Sequence, residues 1–324
     1  MFQLREGPAW LRKAGRTSEG SGGPVKVVVA GASGFVGRRL CVALDQAGHD
    51  VVAMTRNPGR YRGAGSPVRG DVQDPGSLEP AMAGCEAAYY LVHSLQDVDF
   101  EREDAAGATA FGQAAARAGL RRIIYLGGLG DDADNLSAHL RSRREVEQLL
   151  GTGGVPVTVI RAGIIIGHGG ISWELIRQLV EHLPVMITPR WVATRTQPIA
   201  IDDVVTYLAG VLELPAASGR VYEVGGPDVL QYSTMLSRVA AIENRPLFLL
   251  PVPLLTPGLS SLWLNFVTDI DIGTGRNLID SMSNEVVVRD QSIKDLIPIR
   301  PMSYDDAVRA ALRERREDQE TGSW

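Results

Sequence analysis

Closely spaced glycines follow a short β-branched run near the start of this chain. Residues 26–30 (KVVVA) have the composition of a buried strand, and Gly31, Gly34 and Gly37 come directly after them in the segment GASGFVG. Such glycines allow a sharp turn, a close approach of the backbone to a diphosphate and tight packing of the next helix on the strand. A helix start also offers free N–H groups and a positive dipole end to phosphate oxygens. The segment therefore predicts a dinucleotide-binding turn.

An arginine rather than a carboxylate follows the next predicted strand. Residues 50–54 form this strand, and Arg56 lies just beyond it, where a site specialised for NAD usually holds the ribose with Asp or Glu. The guanidinium of Arg56 is planar and permanently charged, which suits a 2′-phosphate, and Arg38, Arg60 and Arg62 could add positive field. Alternatively, these arginines are solvated loop charges. The sequence thus favours NADP(H) as the cofactor, with NAD(H) as the alternative.

The composition is that of a globular, enzyme-sized chain. With 324 residues, 44% of them hydrophobic, it can bury one large core or a core and a smaller lobe. The net charge of −5 gives no reason to expect nucleic acid as a partner. Cys41 and Cys85 show no metal-ligand spacing and argue against a disulfide framework, so we expect no metal and a reducing, cytoplasmic location. The oligomeric state stays open.

Two segments invite a membrane or targeting interpretation. Residues 1–24 lack an apolar run long enough for a signal peptide, and we expect a flexible extension. Residues 247–267 carry no charge over a length that could span a bilayer, but Pro251, Pro253 and Pro257 would remove helix hydrogen bonds. We therefore expect no transmembrane segment there but a strand, a proline-broken loop and a short apolar helix in a substrate lobe. Contact with a membrane surface is the alternative.

Apolar strands alternate with helical stretches along most of the chain. We place strands at 26–30, 50–54, 66–69, 87–92, 122–126, 156–160 and 221–224, and helices near 36–48, 78–83, 101–119 and 136–150. This alternation predicts an α/β fold, a Rossmann-type doubly wound parallel sheet with a smaller C-terminal substrate lobe.

Residues just after the predicted strands are the cofactor-binding candidates, because ligands of such sheets gather at the carboxyl ends of the strands. Asp71 could accept a hydrogen bond from an adenine amino group while Val72 packs on the ring, although Asp is also a common turn residue. His93 lies where a loop would pass the nicotinamide ribose, a place that a structural histidine could equally occupy. The full candidate set is Gly31, Ser33, Gly34, Phe35, Val36, Gly37, Arg56, Asp71, Val72, Leu91, Val92, His93, Gly127, Ala162, Gly163 and Ile164.

Several of these segments together resemble one enzyme superfamily. The segments GASGFVG, RGDV, AYYLVHSL, RRIIYLGGLG, RAGIIIG and QPIAIDDV are similar to those of atypical or extended short-chain dehydrogenases/reductases, and among them the NmrA-like NAD(P)H-binding group. The resemblance covers residues 25–312, most strongly in the nucleotide-binding half. It implies a Rossmann core that is interleaved with a substrate lobe. In QPIAIDDV, Asp202 and Asp203 fit a helix N-terminus better than a catalytic role.

The domain boundaries that follow are expectations. They are a flexible extension at 1–24, an NAD(P)-binding Rossmann core at 25–166 and 196–226, a substrate lobe at 167–195 and 227–312, and a charged tail at 313–324.

The catalytic pattern of the superfamily is altered in this chain. The resemblance implies a Ser after the fifth strand and a Tyr-x-x-x-Lys pair on the next helix, but here Gly127 replaces the Ser and the helix carries His139 and Arg143. Glu147 continues the same helical face. With a free pKa near 6.5, His139 could donate a proton near neutrality, while Arg143 could bind ribose or phosphate. Alternatively, the three side chains form a solvated stripe.

Two functions remain open at this point. The first is an NADPH-dependent oxidoreductase that reduces an apolar carbonyl, enone or quinone-like small molecule, since activated acceptors demand less of the protein acid. The second is a non-catalytic NAD(P)H-sensing regulator, because the resemblance includes proteins that sense the cofactor and the usual Ser and Tyr are missing. His168, Trp173, Trp191 and Trp263 could line a substrate pocket or fill the core.

Overall fold

Seven parallel strands form the central sheet of the computed structural model, which describes residues 23–94, 99–131, 134–251 and 272–321. The strands of the chain are β1 (Lys26–Ala30), β2 (Asp50–Thr55), β3 (Ser66–Arg69), β4 (Ala87–Tyr90), β5 (Arg122–Gly128), β6 (Val157–Ala162), β7 (Ile165–Ile166), β8 (Val185–Thr188), β9 (Arg195–Thr196), β10 (Ile199–Ala200), β11 (Val221–Val224), β12 (Leu230–Gln231) and β13 (Phe248–Pro251). The order in the central sheet is β11-β6-β5-β4-β1-β2-β3. The chain order reverses between β1 and β4, so the topological switch point lies at the carboxyl ends of these two strands.

Helices cover both faces of this sheet. The helices of the described ranges are α1 (Phe35–Gln46), α2 (Leu78–Ala81), α3 (Phe100–Arg117), α4 (Ala138–Leu150), α5 (Ile171–His182), α6 (Ile201–Glu213), α7 (Tyr232–Ile242), α8 (Ile272–Ser281), α9 (Ile293–Leu296) and α10 (Tyr304–Thr321). Leu40 of α1 and Leu208 of α6 belong to the buried cluster on one face, and Phe111 of α3 and Val146 of α4 to the cluster on the other. The predicted fold class is therefore confirmed.

The turn between β1 and α1 depends on its glycines. Gly31 has φ +84°, a conformation that side chains other than glycine rarely adopt. A Cβ on Gly37 would lie 2.1 Å from the carbonyl oxygen of Gly31, so the helix packs on the strand at a distance that only glycine allows. The predicted roles of these two glycines are confirmed.

A separate buried cluster joins the later helices. Trp173 of α5, Met235 of α7 and Val308 of α10 are fully buried in it, and Trp191 packs edge-on against Tyr232 with ring centroids 5.7 Å apart. Both tryptophans thus fill the core, which answers the question that the sequence left open for them. The predicted domain boundaries themselves stay a prediction.

The strand predictions are close, with two informative differences. β4 ends at Tyr90 rather than at residue 92, because the chain leaves the sheet to pass the β1–α1 turn after the Leu91 N–H has donated to the Ala30 carbonyl at 3.0 Å. β5 continues to Gly128 rather than ending at residue 126. Asp203 lies in the first turn of α6, where its Oδ2 accepts the Met302 N–H at 2.8 Å, so the helix-terminal interpretation is confirmed.

Some predictions fall on residues that the structure does not describe. Two predicted segments lie wholly or partly outside the described ranges: residues 1–22 of the extension, and residues 252–267 of the apolar segment, which include Trp263. The described start of that apolar segment forms β13, so the strand predicted there is confirmed. None of the helices in the described ranges combines the length and apolar character that crossing a bilayer requires. Residues 313–321 of the predicted tail continue α10, and Arg315 pairs with Glu181 at 3.4 Å.

Replacement of Gly37 by alanine tests the β1–α1 contact. We expect Gly37→Ala to lower the free energy of unfolding by about 1–3 kcal/mol, because the obstructing atom belongs to the backbone and cannot rotate away. Gly59→Ala is the matched control: nothing lies within 4 Å of its added Cβ, so we expect a change within about 0.5 kcal/mol. Denaturant unfolding measures both, and equal stability of the two variants would contradict the packing argument.

Candidate functional site: a groove at the switch point of the sheet

One continuous groove runs along the carboxyl ends of the strands at the switch point. It consists of two cavities of about 550 Å³ and 230 Å³. The larger lies toward β2 and β3, and the smaller lies toward β5 and α4. The residues that line both cavities are Gly31, Gly34, Phe35, Leu91, His93 and Ile171.

The start of α1 forms the floor where the two cavities meet. Gly34 is its N-cap, no side chain caps the helix, and its first turn contains no acidic residue, so the first N–H groups are available to an anion. A Cβ on Gly34 would meet a single atom within 4 Å, the Gly31 carbonyl oxygen at 3.2 Å, and would otherwise point into open space. These features fit a bound diphosphate.

The larger cavity has the character of an adenosine-phosphate site. Arg56 lines it and is exposed, with Asp71 and Val72 on the adjacent wall. The Asp71 Oδ1 accepts the Gln73 N–H at 3.0 Å, so this carboxylate also holds its turn, and both interpretations of Asp71 stay open. Among the four arginines considered, only Arg56 lines the groove; Arg62 donates to carbonyl oxygens of its own loop.

A buried carboxylate anchors the loop that follows β4. Asp104 of α3 accepts the Ser94 N–H at 2.9 Å through Oδ1 and the Ser142 hydroxyl at 3.3 Å through Oδ2. This contact fixes the loop that carries His93. The imidazole of His93 has solvent-exposed surface inside the groove, while the surrounding protein and the charge of Arg143 hold its pKa below the ordinary value. Sequence reasoning missed Asp104 because its role depends on contacts distant in the chain.

The glycine-rich end of β5 is held by a cluster of charged side chains from α4 and β6. The Arg144 guanidinium donates to the Gly128 carbonyl at 2.7 Å and to the Gly130 carbonyl at 2.6 Å. Glu147 accepts from Arg144 at 3.0 Å and from Arg161 at 2.7 Å. Glu147 therefore stabilises the strand end rather than assisting His139.

His139 projects from α4 into the inner cavity. Burial, then Arg143 and His93, lower its pKa well below the ordinary value, so the free value near 6.5 does not carry over to His139 in the folded chain. Its Nδ1 is buried with no hydrogen-bond partner among the described groups. An unpartnered buried polar atom costs free energy, which a bound ligand can recover.

Arg143 lies one turn along the same helix and also lines the inner cavity. Only 7% of it is exposed, and its Nη1 is 3.5 Å from the Tyr125 hydroxyl. Burial opposes its charge, but Tyr125 and Asp104 outweigh burial and raise the pKa of Arg143. The alternative of a solvated stripe is therefore wrong, because the helix presents these side chains to the sheet and the groove.

The opposite wall comes from the later part of the chain. Gly170, Ile171 and Ser172 at the start of α5, and Leu278 of α8, face the inner cavity. Sequence reasoning missed them, although the glycines around His168 are a visible signal of a second turn into a helix. Of the predicted cofactor-binding residues, all line the groove except Ile164, whose side chain is buried in the cluster of the later helices. His168 contacts Glu174 and Asp318 instead of lining the groove.

Comparison with known proteins agrees with this geometry. A family model described as NAD(P)H-binding matches residues 31–193. The (4-alkanoyl-5-oxo-2,5-dihydrofuran-3-yl)methyl phosphate reductase of Streptomyces griseus is 28% identical over 233 residues, which are 68% of this chain and 75% of that protein. The mitochondrial NADH dehydrogenase (ubiquinone) 1 alpha subcomplex subunit 9 of Arabidopsis thaliana is 26% identical over 241 residues, 69% of this chain, and the chain spans 59% of its length.

The fold is shared with solved reductase structures. An NADPH-dependent quinone oxidoreductase from Escherichia coli, solved with NADPH, superposes with a TM-score of 0.71 at 19% identity, covering 87% of this chain and 98% of that one. The NAD(P)H-binding character that the resemblance implies is confirmed, and so is the predicted cofactor class, since the matched family model is described as NAD(P)H-binding and the fold is shared with an NADPH-bound structure.

A side chain at position 34 should block the cofactor without disturbing the fold. We expect Gly34→Asp to abolish NADPH binding, because it places bulk and negative charge where the diphosphate meets α1. Calorimetric titration measures the affinity, and Gly59→Asp controls for an added surface charge. If a folded Gly34→Asp chain bound NADPH with unchanged affinity, the diphosphate would not bind at the start of α1.

Arg56 should select between the two nicotinamide cofactors. We expect Arg56→Ala to weaken NADPH binding about tenfold to a hundredfold, as loss of a charge-assisted hydrogen bond does, while NADH affinity changes little. Arg60→Ala is the matched control, since Arg60 is exposed on the same loop but does not line the groove. Equal losses for both cofactors would show that Arg56 does not contact the 2′-phosphate.

Proposed function

Because the chain belongs to the NAD(P)H-binding family, we propose that it is an NADPH-dependent oxidoreductase that reduces an apolar carbonyl, enone or quinone-like small molecule. The main support for this function is the groove at the switch point of the sheet. Its outer part fits a dinucleotide, and its inner part brings His139 and Arg143 together between the nucleotide half and the later helices. A dihydronicotinamide bound along the groove would supply a hydride to an acceptor held there.

Apolar walls favour an apolar acceptor in the inner cavity. Leu126, Ile165, Ile171 and Leu278 line it, and no acidic side chain does so among the described residues. His139 stays neutral near neutrality, so its imidazole offers an N–H hydrogen bond to a carbonyl oxygen rather than a readily lost proton. A donor of this kind suits acceptors that are already activated.

The names of the relatives support the same reaction class. The Streptomyces griseus protein is named as a reductase of a 5-oxo-2,5-dihydrofuran that carries an alkanoyl group, which is a conjugated carbonyl compound. The Escherichia coli structure is named as a quinone oxidoreductase. Both support an activated acceptor for this chain, and neither identifies its substrate.

A non-catalytic NAD(P)H sensor is the second candidate. Gly127 supplies no hydroxyl at the end of β5, and an added Cβ would lie 2.8 Å from Glu147 Oε1, so a serine at this position would require the Glu147 side chain to shift. A sensor would bind NADPH and NADP⁺ with clearly different affinities and would not consume NADPH.

Turnover and its pH dependence test the catalytic proposal. We expect NADPH oxidation in the presence of 1,4-naphthoquinone or methyl vinyl ketone, and a fall in kcat of about 10²–10³-fold in His139→Ala with NADPH affinity retained, as for loss of an oxyanion donor. His139→Gln, which keeps an N–H donor, should lose less. Because the pKa of His139 is lowered, its charged form disappears as pH rises through the acidic range, and the wild-type rate should then stay level from about pH 6.5 to 8.

Two results would contradict parts of this proposal: the first would overturn the neutral state of His139 and leave the reductase function standing, and the second would overturn the function itself. A fall in the wild-type rate centred near pH 6.5 and absent from His139→Gln would show that the charged imidazole is the acid. No NADPH oxidation across a broad panel of acceptors, together with different affinities for NADPH and NADP⁺, would favour the sensor.

A further inference from the structure

The inner end of the groove holds a buried cation that no carboxylate of the described structure contacts directly. Arg143 is buried, and within the described structure it forms no ion pair; its one hydrogen bond is the 3.5 Å contact with the Tyr125 hydroxyl. The negative charge of Asp104 acts on Arg143. Its two carboxylate oxygens, however, accept hydrogen bonds from the Ser94 N–H and the Ser142 hydroxyl. Burial opposes the charge of this guanidinium, and a bound anion would give partners to N–H groups that have none in the described structure.

The groups around Arg143 cannot readily supply a proton near neutrality. His93 and His139 have lowered pKa values and are neutral there, while burial raises the pKa of the Tyr125 and Tyr90 hydroxyls. Asp104 of α3 is the carboxylate whose charge reaches Arg143 and raises its pKa. This end of the groove can therefore stabilise a negative charge but is poorly equipped to neutralise it by proton transfer.

We propose that Arg143 is the oxyanion-stabilising residue of this site, and that the substrate is a conjugated carbonyl compound whose reduction leaves its negative charge on oxygen. The proposal rests on the reductase function above and narrows it. Isolated ketones are disfavoured because their reduction yields a strongly basic alkoxide that needs a proton during the step. Enones and quinones yield enolate or phenolate anions, which a fixed cation alone can hold.

The reaction balances with water as the proton source. Hydride addition to the β-carbon of an enone forms a carbon–hydrogen bond there. The carbon–carbon π pair moves to the bond between the α-carbon and the carbonyl carbon, and the carbonyl π pair moves to the oxygen beside Arg143. The resulting enolate then takes one proton from water at its α-carbon and leaves hydroxide, so that the acceptor gains two hydrogens and two electrons in total. His139 contributes a neutral N–H hydrogen bond to the same oxygen.

An anion-binding measurement tests the role of Arg143 without requiring turnover. With NADP⁺ present, we expect benzoate to bind at least about tenfold more tightly than benzamide, which has the same shape without the charge. Arg143→Met should weaken benzoate binding about tenfold to a hundredfold and remove this preference, whereas Arg143→Lys should keep part of it. Arg141→Met, an exposed arginine on the same helix, is the matched control.

Kinetics then distinguish an oxyanion role from a cofactor contact. We expect Arg143→Met to lower kcat for 1,4-naphthoquinone about 10²–10³-fold with NADPH affinity unchanged, and wild-type activity on cyclohexanone to be far below that on 2-cyclohexenone. A parallel loss of NADPH and NADP⁺ affinity in a folded Arg143→Met chain would overturn the proposal and assign Arg143 to the cofactor.

The reductase function and the anion site at Arg143 can be refuted independently of each other. If no acceptor is reduced but benzoate binding still depends on Arg143, the anion site stands and the reductase function is lost. If acceptors are reduced but benzoate and benzamide bind alike, with and without Arg143, the reductase function stands and the anion site is overturned.

Discussion

The close contact between Gly37 and the carbonyl oxygen of Gly31 determines where the rest of the site can lie. A Cβ at position 37 would be 2.1 Å from that oxygen, so α1 starts directly on the end of β1 and points its free N–H groups at the switch point of the sheet. A second close contact joins Gly31 to the loop after β4. A Cβ on Gly31 would lie 2.9 Å from the carbonyl oxygen of Leu91. The loop after β4 is thereby held beside the same turn, and the two together form the floor of the groove.

The opposite wall is positioned from the same helix. A Cβ on Gly170 would lie 2.8 Å from the ring of Phe35, so the first residue of α1 packs against the loop that leads into α5. Arg39 stacks 4.8 Å above that ring, donates to the His168 carbonyl at 3.0 Å and pairs with Glu314 of α10. One turn of α1 thus presents its free N–H groups to the groove on one side and fixes the later helices on the other, which sets the width of the groove.

The parts of this structure that the sequence predicts are those set by local contacts. The β1–α1 turn and the buried strands follow from glycine spacing and apolar runs, and Arg56 follows β2 directly. Ile164 shows the limit: adjacent residues of an extended segment face opposite sides, so Ile165 reaches the groove while Ile164 joins the other core. The role of Asp104 and the lowered pKa of His139 depend on neighbours from other elements, which no local pattern contains.

The net charge of the chain differs in sign from the charge of the side chains that line the groove. The net charge is −5, yet Asp71 is the one carboxylate among the groove-lining residues in the described part of the chain. Basic side chains therefore lie at both ends, Arg56 in the outer part and Arg143 in the inner part, and the positive end of the α1 dipole lies where the two cavities meet. In the proposed reaction, the outer part binds cofactor phosphates, which are anionic throughout. The inner part binds the carbonyl oxygen of the acceptor, which becomes anionic only when hydride is transferred. An interaction that strengthens during the reaction lowers its barrier, while one that is equally strong beforehand only improves binding.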